Sequence, residues 1–168
     1  PDTPVFRKGT TVYGLNLARE HIAHAKQVIV VEGYMDVIAL AQAGIRNVVA
    51  CLGTSTTEEH LKLLGRYADS IIFVYDADAA GMRAALRNIA VFESAGAAAR
   101  LAVLPPGQDP DECVRSGGPD VFRQCLAEAM SFPEYEIKMA FAQYDMGDAD
   151  GRMRAARSAV TSLLKVHD

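Results

Sequence analysis

The 168-residue chain is half hydrophobic, enough to close one sizeable core and too short for two, so one main domain with a small appendage is expected. Its 17 basic and 21 acidic residues give a formal net charge of -4, which leans against a broad surface for coating nucleic acid. If several carboxylates gather in one metal site, however, the remaining surface is closer to neutral and a groove can be locally basic. Cys51, Cys113 and Cys125, odd in number and with no close pair in sequence, argue against a disulfide scaffold or a cysteine-rich zinc site and suit a reducing compartment. No basic leader runs into an apolar stretch and every long apolar run is strand-sized, so a cytoplasmic protein with no membrane contact is expected.

Pro1 to Tyr13 holds Thr, Gly and Pro without apolar periodicity and reads as loop or irregular edge structure. A helix over about Gly14 to Lys26 leads into Val28-Ile29-Val30-Val31, an unbroken β-branched run that suits a strand buried on both faces and stopped by Glu32-Gly33. The grammar then repeats: helix near Met35 to Ala43, strand Asn47 to Ala50, helix Thr57 to Leu64, strand Ser70 to Tyr75, helix Ala79 to Ser94 stopped by Gly96, strand Arg100 to Leu104. Strands alternating with helices at this spacing predict an α/β fold with a parallel sheet. After the Pro105-Pro106-Gly107 turn the pattern becomes helical, broken at Ser116 to Pro119, at Met130 to Pro133 and around Met146 to Asp150. The last amphipathic segment, Gly151 to Val166, stops without a turn, as in a piece cut from a larger protein.

Glu32 follows directly on the first buried strand, and Asp76 and Asp78 follow directly on the third. In a parallel sheet ligands bind outside the carboxyl ends of the strands, so topology is expected to bring these three carboxylates together. Asp76 and Asp78, one residue apart, face the same way in extended backbone, which suits a hard cation held by oxygen. Such crowding costs like-charge repulsion unless a cation offsets it, and phosphate would be repelled unless metal stood between. Asp109 and Asp111 repeat the spacing after the fourth strand and could complete a second metal position. Helix caps and solvated loops are the competing uses of such pairs, and Asp111 in particular could cap the helix through Val114.

Other candidates carry weaker signals. Gly53-Thr54-Ser55-Thr56-Thr57 could offer donors to phosphate or could simply cap the helix before Glu58 and Glu59. Arg83 and Arg87 share one helix face and could neutralise phosphate or remain solvated. His21, His24 and His60 lack metal-ligand spacing and read as structural or surface residues.

Taken together, Val30-Val31-Glu32-Gly33-Tyr34-Met35-Asp36-Val37, Leu52-Gly53-Thr54-Ser55-Thr56-Thr57, Tyr75-Asp76-Ala77-Asp78-Ala79-Ala80-Gly81 and Gly107-Gln108-Asp109-Pro110-Asp111 closely resemble the Toprim core of bacterial replicative DNA primases of the DnaG type. Pro4 to Gly9 and Val12 to Leu15 resemble the stretch that precedes that core, so the resemblance covers about residues 1–130 in detail and the helical tail loosely. It implies a Toprim fold, a mostly parallel four-stranded sheet flanked by helices and followed by a small helical appendage. Residues 1–26 would be a lead-in ending the upstream basic subdomain, 27–112 the Toprim domain and 113–168 a truncated helical subdomain.

The implied function is that of a DNA-directed RNA polymerase, a primase that makes short RNA primers on single-stranded DNA by metal-assisted nucleotidyl transfer. On this resemblance Glu32 binds metal or manages the proton of the attacking 3′ hydroxyl, and Asp76 and Asp78 bind Mg2+, for which Mn2+ can substitute. Asp109 and Asp111 join the acidic cluster. Lys8 faces the phosphate of a nucleoside triphosphate substrate or the template strand; Gly53, Thr54, Arg83 and Arg87 stay candidates for nucleotide or template contact on the residue reading given above, with capping and solvation as the competing uses. The family usually has Gly where Ala77 stands, a methyl that metal binding tolerates at negative φ, and Ala79 carries no charge for a phosphate contact. Partners implied are the DNA template, the RNA primer and, through a C-terminal domain outside this chain, the replicative helicase; the core itself is expected to be monomeric. A core without its zinc-binding and basic upstream parts is expected to bind metal and nucleotide yet extend primers poorly or not at all.

Two other classes remain open at the level of sequence. One is a Toprim-type nuclease or topoisomerase, which needs a water nucleophile or a tyrosine from another domain; Tyr34 reads as packing or a nucleotide contact. The other is a non-catalytic module binding nucleic acid or a replication partner. A haloacid-dehalogenase-like reading of Asp76-Ala77-Asp78 is disfavoured because Ala79 and Ala80 follow the pair where that class has Thr or Val.

Overall fold

The computed structural model describes residues 3, 7, 9–51, 56–75 and 98–164. The chain divides into two compact units, Pro1–Ala129 and Met130–Asp168. The first is built on a four-stranded parallel sheet of β1 (Gln27–Val31), β2 (Val48–Ala50), β3 (Ser70–Tyr75) and β4 (Ala98–Val103), in the order β2-β1-β3-β4. The strands lie within two residues of their expected bounds; the helix expected over Ala79 to Ser94 lies outside the described residues.

Burial on both faces explains the unbroken apolar runs. Ile29, Val31, Ile72, Val74, Ala102, Val48 and Ala50 belong to one core cluster, whereas Val28, Val30, Ile71, Phe73 and Leu101 alternate with them and are equally buried. The first cluster is covered by α2 (Tyr34–Gln42), through Val37 and Leu40, and by α4 (Pro110–Ala127), through Cys113, Val114 and Phe122. Thus α4, read from sequence as the start of the helical tail, packs with the sheet. It also brings Cys113 and Cys125, distant in sequence, into side-chain hydrogen-bonding contact, and burial pushes both thiols up. α4 is broken only at Gly118, whose φ of 77° and ψ of 170° suit glycine alone.

Three local devices set the helix ends. α1 (Leu15–Ala25) opens at Gly14, whose φ is 80° and whose carbonyl accepts from Leu17 and Ala18 at 3.0 and 2.9 Å. It closes at Lys26, the one non-glycine residue with positive φ (54°) among those described; its carbonyl accepts from Asp69 and Ser70, tying the entry of β1 to that of β3. α3 (Glu58–Leu64) is capped by Thr57, which accepts from the His60 N–H and donates from its own N–H to His60 Nδ1, both at 3.2 Å. Thr57 and His60 therefore take the structural role that sequence left open for them, and the Thr57 hydroxyl also donates to Gly9 O at 2.7 Å.

The end of the lead-in forms irregular edge structure, as its composition implies. Tyr13 makes an antiparallel bridge to Ala50, exchanging hydrogen bonds of 2.9 and 3.1 Å, and so shields part of the outer edge of β2. In the second unit, α5 (Phe132–Gln143) and α6 (Ala149–Leu163) pack on each other, and Ser131 and Glu134 form a capping box. No helix among the described residues is long and apolar enough to cross a membrane.

Gly14 is the least replaceable of these junctions, because a Cβ there would stand 3.2 Å from Val37 Cγ1 on a backbone that side chains disfavour. Gly14→Ala is expected to lower unfolding free energy by about 1–2 kcal/mol, measured by urea titration; an unchanged midpoint would contradict the packing described.

Candidate active site at the carboxyl ends of the strands

Strand order reverses at β1. The chain crosses from β1 to β2 on one side and then returns to lay β3 on the other, so β1 and β3 flank the switch point at which parallel sheets bind ligands. Their register pairs Val30 with Phe73, which sets Glu32 level with Tyr75, the last residue of β3, with adjacent strands about 4.8 Å apart. The residue after Tyr75 in the chain is Asp76. β4 extends the same rim, with Tyr75 paired to Val103 six residues before Asp109.

Glu32 is exposed at the end of β1 and is engaged in a polar contact. The backbone immediately after it is pinned by Asp36, whose Oδ2 accepts the Gly33 N–H at 3.0 Å and closes the first turn of α2. Gly33 leaves room for this contact: a Cβ there would lie 2.9 Å from that oxygen, a crowding that a small movement of the Asp36 side chain relieves, and its φ of -108° makes no demand for glycine. Asp36 belonged to the motif quoted above but drew no role; its signal was an acid three residues into a helix that begins beside Glu32.

Asp109 is the N-cap of α4, its Oδ1 accepting the Glu112 N–H at 2.7 Å, with Pro110 at the first helical position. The cap thus falls on Asp109 and not on Asp111. Capping occupies one oxygen, and a carboxylate has about four lone-pair sites, so acceptor capacity remains. Asp111 pairs with Arg115 at 3.2 Å on a largely exposed helix face, a contact worth less than about 1 kcal/mol and easily exchanged. Among the described residues no three His, Cys, Asp or Glu side chains are grouped to hold a metal ion, so Glu32, Asp109 and Asp111 do not form a metal centre by themselves. Asp76, Asp78, Lys8, Gly53, Thr54, Arg83 and Arg87 lie outside the described residues.

The segment carrying Gly53 and Thr54 is bracketed by buried Cys51 and Thr56, joined by a side-chain hydrogen bond. Burial pushes the Cys51 thiol up to about 12, so it stays protonated near neutrality and is no nucleophile. Tyr34 stacks edge-on against Tyr13 with ring centroids 6.1 Å apart, in keeping with a packing role. His60 is fully buried in the cap of α3.

Comparison with known proteins agrees with this architecture. The Toprim-like family matches residues 29–114. The DNA primase of Pseudomonas aeruginosa is 44% identical over 170 residues, covering 99% of this chain and 26% of that protein. Among solved structures, the DnaG primase catalytic domain bound to ssDNA is 39% identical, with a TM-score of 0.79, over 99% of this chain and 55% of that one. The RNA polymerase domain of Mycobacterium tuberculosis primase DnaG, in complex with double-stranded DNA, is 34% identical, with a TM-score of 0.88, over 100% of this chain and 55% of that one. The chain spans about a quarter of the length of the curated relatives it matches. It belongs to the Toprim-like family and, within it, to the catalytic cores of DnaG-type DNA primases.

Asp36 offers a direct check on how Glu32 is held. Asp36→Ala is expected to cost about 1 kcal/mol of stability through the lost cap and to broaden the Glu32 and Gly33 backbone amide resonances; unchanged melting together with unchanged resonances would contradict the pinning.

Proposed function

We propose that this chain carries the nucleotidyl-transfer centre of a primase which, as a whole protein, makes short RNA primers on a single-stranded DNA template. The observation that carries the reading is the β1–β3 neighbourhood at the reversal of strand order, which sets Glu32 beside the end of the strand after which Asp76-Ala77-Asp78 follow in the sequence. Similarity to a catalytic domain solved with ssDNA supports the template class.

Glu32, Asp76 and Asp78, with Asp109 and Asp111 beside them, form a donor set of hard oxygens that fits Mg2+, with Mn2+ as substitute, and not a structural zinc. Bound there, the metal would supply charge neutralisation for the triphosphate and ease ionisation of the primer 3′ hydroxyl. The chain's own residues then divide the remaining work. Glu32 accepts the hydroxyl proton as the 3′ oxygen attacks the α-phosphorus and pyrophosphate departs. Lys8, Gly53, Thr54, Arg83 and Arg87 contact triphosphate or template. Residues 27–112 act as the Toprim domain, with 1–26 leading in and 113–168 beginning a helical subdomain whose first helix, α4, packs with the sheet. In the whole protein a C-terminal domain docks on the replicative helicase, the core acts as a monomer, and the setting is the cytoplasmic replication fork.

Asp76→Asn and Glu32→Gln, each placed in a full-length primase carrying this core, are expected to lower primer synthesis roughly hundredfold or more, the scale seen when a charge-stabilising group is removed, without lowering the melting temperature. Near-normal synthesis by both variants would contradict the assignment. Cleavage or relaxation of DNA without nucleoside triphosphates would place the chain among Toprim nucleases or topoisomerases instead.

A further inference from the structure

Cys113 and Cys125 are twelve residues apart on α4. In an unbroken helix that separation spans about 18 Å, far beyond the roughly 7 Å between Cα atoms that a bond between two sulfurs tolerates. The break at Gly118 removes the obstacle. It divides α4 into two arms whose thiols meet in side-chain hydrogen-bonding contact at the core cluster of the sheet. Phe122, fully buried, lies one turn before Cys125 and anchors that face of the second arm in the core. Cys113 is buried and Cys125 half-buried, so the pair has one sheltered member and one partly open.

Two adjoining thiols have few chemical uses. No third His, Cys, Asp or Glu is grouped with them among the described residues, so the ligand set of a structural zinc site is not assembled there. What remains is the chemistry of sulfur with sulfur. Burial pushes both thiols up, which keeps the thiolate scarce near neutrality and suits a pair that stays reduced until oxidant is sustained. Cys51 supplies an internal contrast, since it is also buried but hydrogen-bonds to Thr56 rather than to a second thiol. A pair of this kind, in a chain whose cysteines form no disulfide scaffold, fits the transient disulfides of a reducing compartment.

We propose that Cys113 and Cys125 are a modification site, closed into an intramolecular disulfide by hydrogen peroxide and reopened by a small thiol. The Cys125 sulfur, as thiolate, takes an oxygen from the peroxide as the O–O bond breaks, and the departing hydroxide gains the thiol proton as water. The Cys113 sulfur then attacks the sulfenic sulfur, the S–O bond breaks, and a second water leaves with the Cys113 proton. Two thiols and one peroxide thus give one disulfide and two waters, with two electrons passed from sulfur to oxygen. Two molecules of small thiol reverse the bond through a mixed disulfide and end as their own disulfide. The cross-link fixes the two arms of α4 against each other, and the first arm begins at Asp109 on the acidic rim. The inference is independent of the metal chemistry at the strand ends.

The test treats this chain, and a full-length primase carrying this core, with hydrogen peroxide, then blocks free thiols with iodoacetamide and digests with trypsin. Cleavage after Arg100, Arg115, Arg123 and Lys138 puts the two sulfurs on separate peptides, Leu101–Arg115 and Gln124–Lys138. In both proteins these are expected as one linked species by mass spectrometry, absent after dithiothreitol, with Cys51 alkylated. The rate of linking should rise with pH above neutrality, as the thiolate fraction grows. In Cys113→Ala, Cys125 lacks a resolving thiol, and its capture by dimedone as sulfenic acid should exceed that in the unaltered chain roughly tenfold. Absence of the linked pair from either protein, bonding of either sulfur to any other cysteine, or linkage between two chains on a non-reducing gel would overturn the proposal. The linked pair is read on the unaltered protein, so a variant that fails to fold leaves the test intact.

Discussion

Parallel hydrogen bonding of β1 to β3, with β2 carried to the opposite side of β1, is the constraint from which the site follows. Because both faces of the sheet are buried, every side chain along Val28–Val31 and Ile71–Val74 is committed to the core and none can do chemistry. Functional groups can stand only past the strand ends, and reversal of the strand order opens a crevice at one end between the first and third strands. Glu32 stands there because the apolar run stops one residue before it. A one-residue shift in the pairing of β1 with β3 would turn the core residues of β1 out of their layers, so the hydrophobic pattern that stabilises the sheet also fixes the level at which Glu32 emerges.

Helices that follow parallel strands begin at the same rim, and this offsets part of the cost of crowding carboxylates. α2 starts two residues after Glu32, and α4 starts at Asp109. Each N-terminus presents backbone N–H groups and the positive end of the helix dipole, which favour anions, whether side-chain carboxylates or phosphate. Asp36 and Asp109 answer two of those N–H groups directly. Acidic residues at this rim therefore serve the architecture before they serve any ligand, and an acidic motif is compatible with a fold stable in the absence of metal.

The parts legible in the sequence were those written as local pattern. The β-branched runs at Val28 and Ile71 announced strands, their spacing announced helices between them, and Glu32 could be set at a strand end by reading where an apolar run stops. What the sequence left hidden depends on contacts distant along the chain. No local pattern says that β3 returns to the far side of β1, that Tyr13 bridges Ala50, or that Cys113 and Phe122 join the core of the sheet, because a helix paired with a sheet and a helix paired with another helix show the same periodicity. The cap at Asp109 was misplaced by two residues because either aspartate beside Pro110 could begin the helix, and backbone geometry decides between them.

The central claim is that carboxylates from the ends of β1 and β3 share one cation, and anomalous diffraction from a manganese-soaked crystal tests it most directly. The account predicts an anomalous peak with oxygens of Glu32 and of Asp76 or Asp78 within about 2.5 Å. A refined structure in which Glu32 lies more than about 10 Å from both aspartates, too far for any one ion to bridge at such bond lengths, would contradict it.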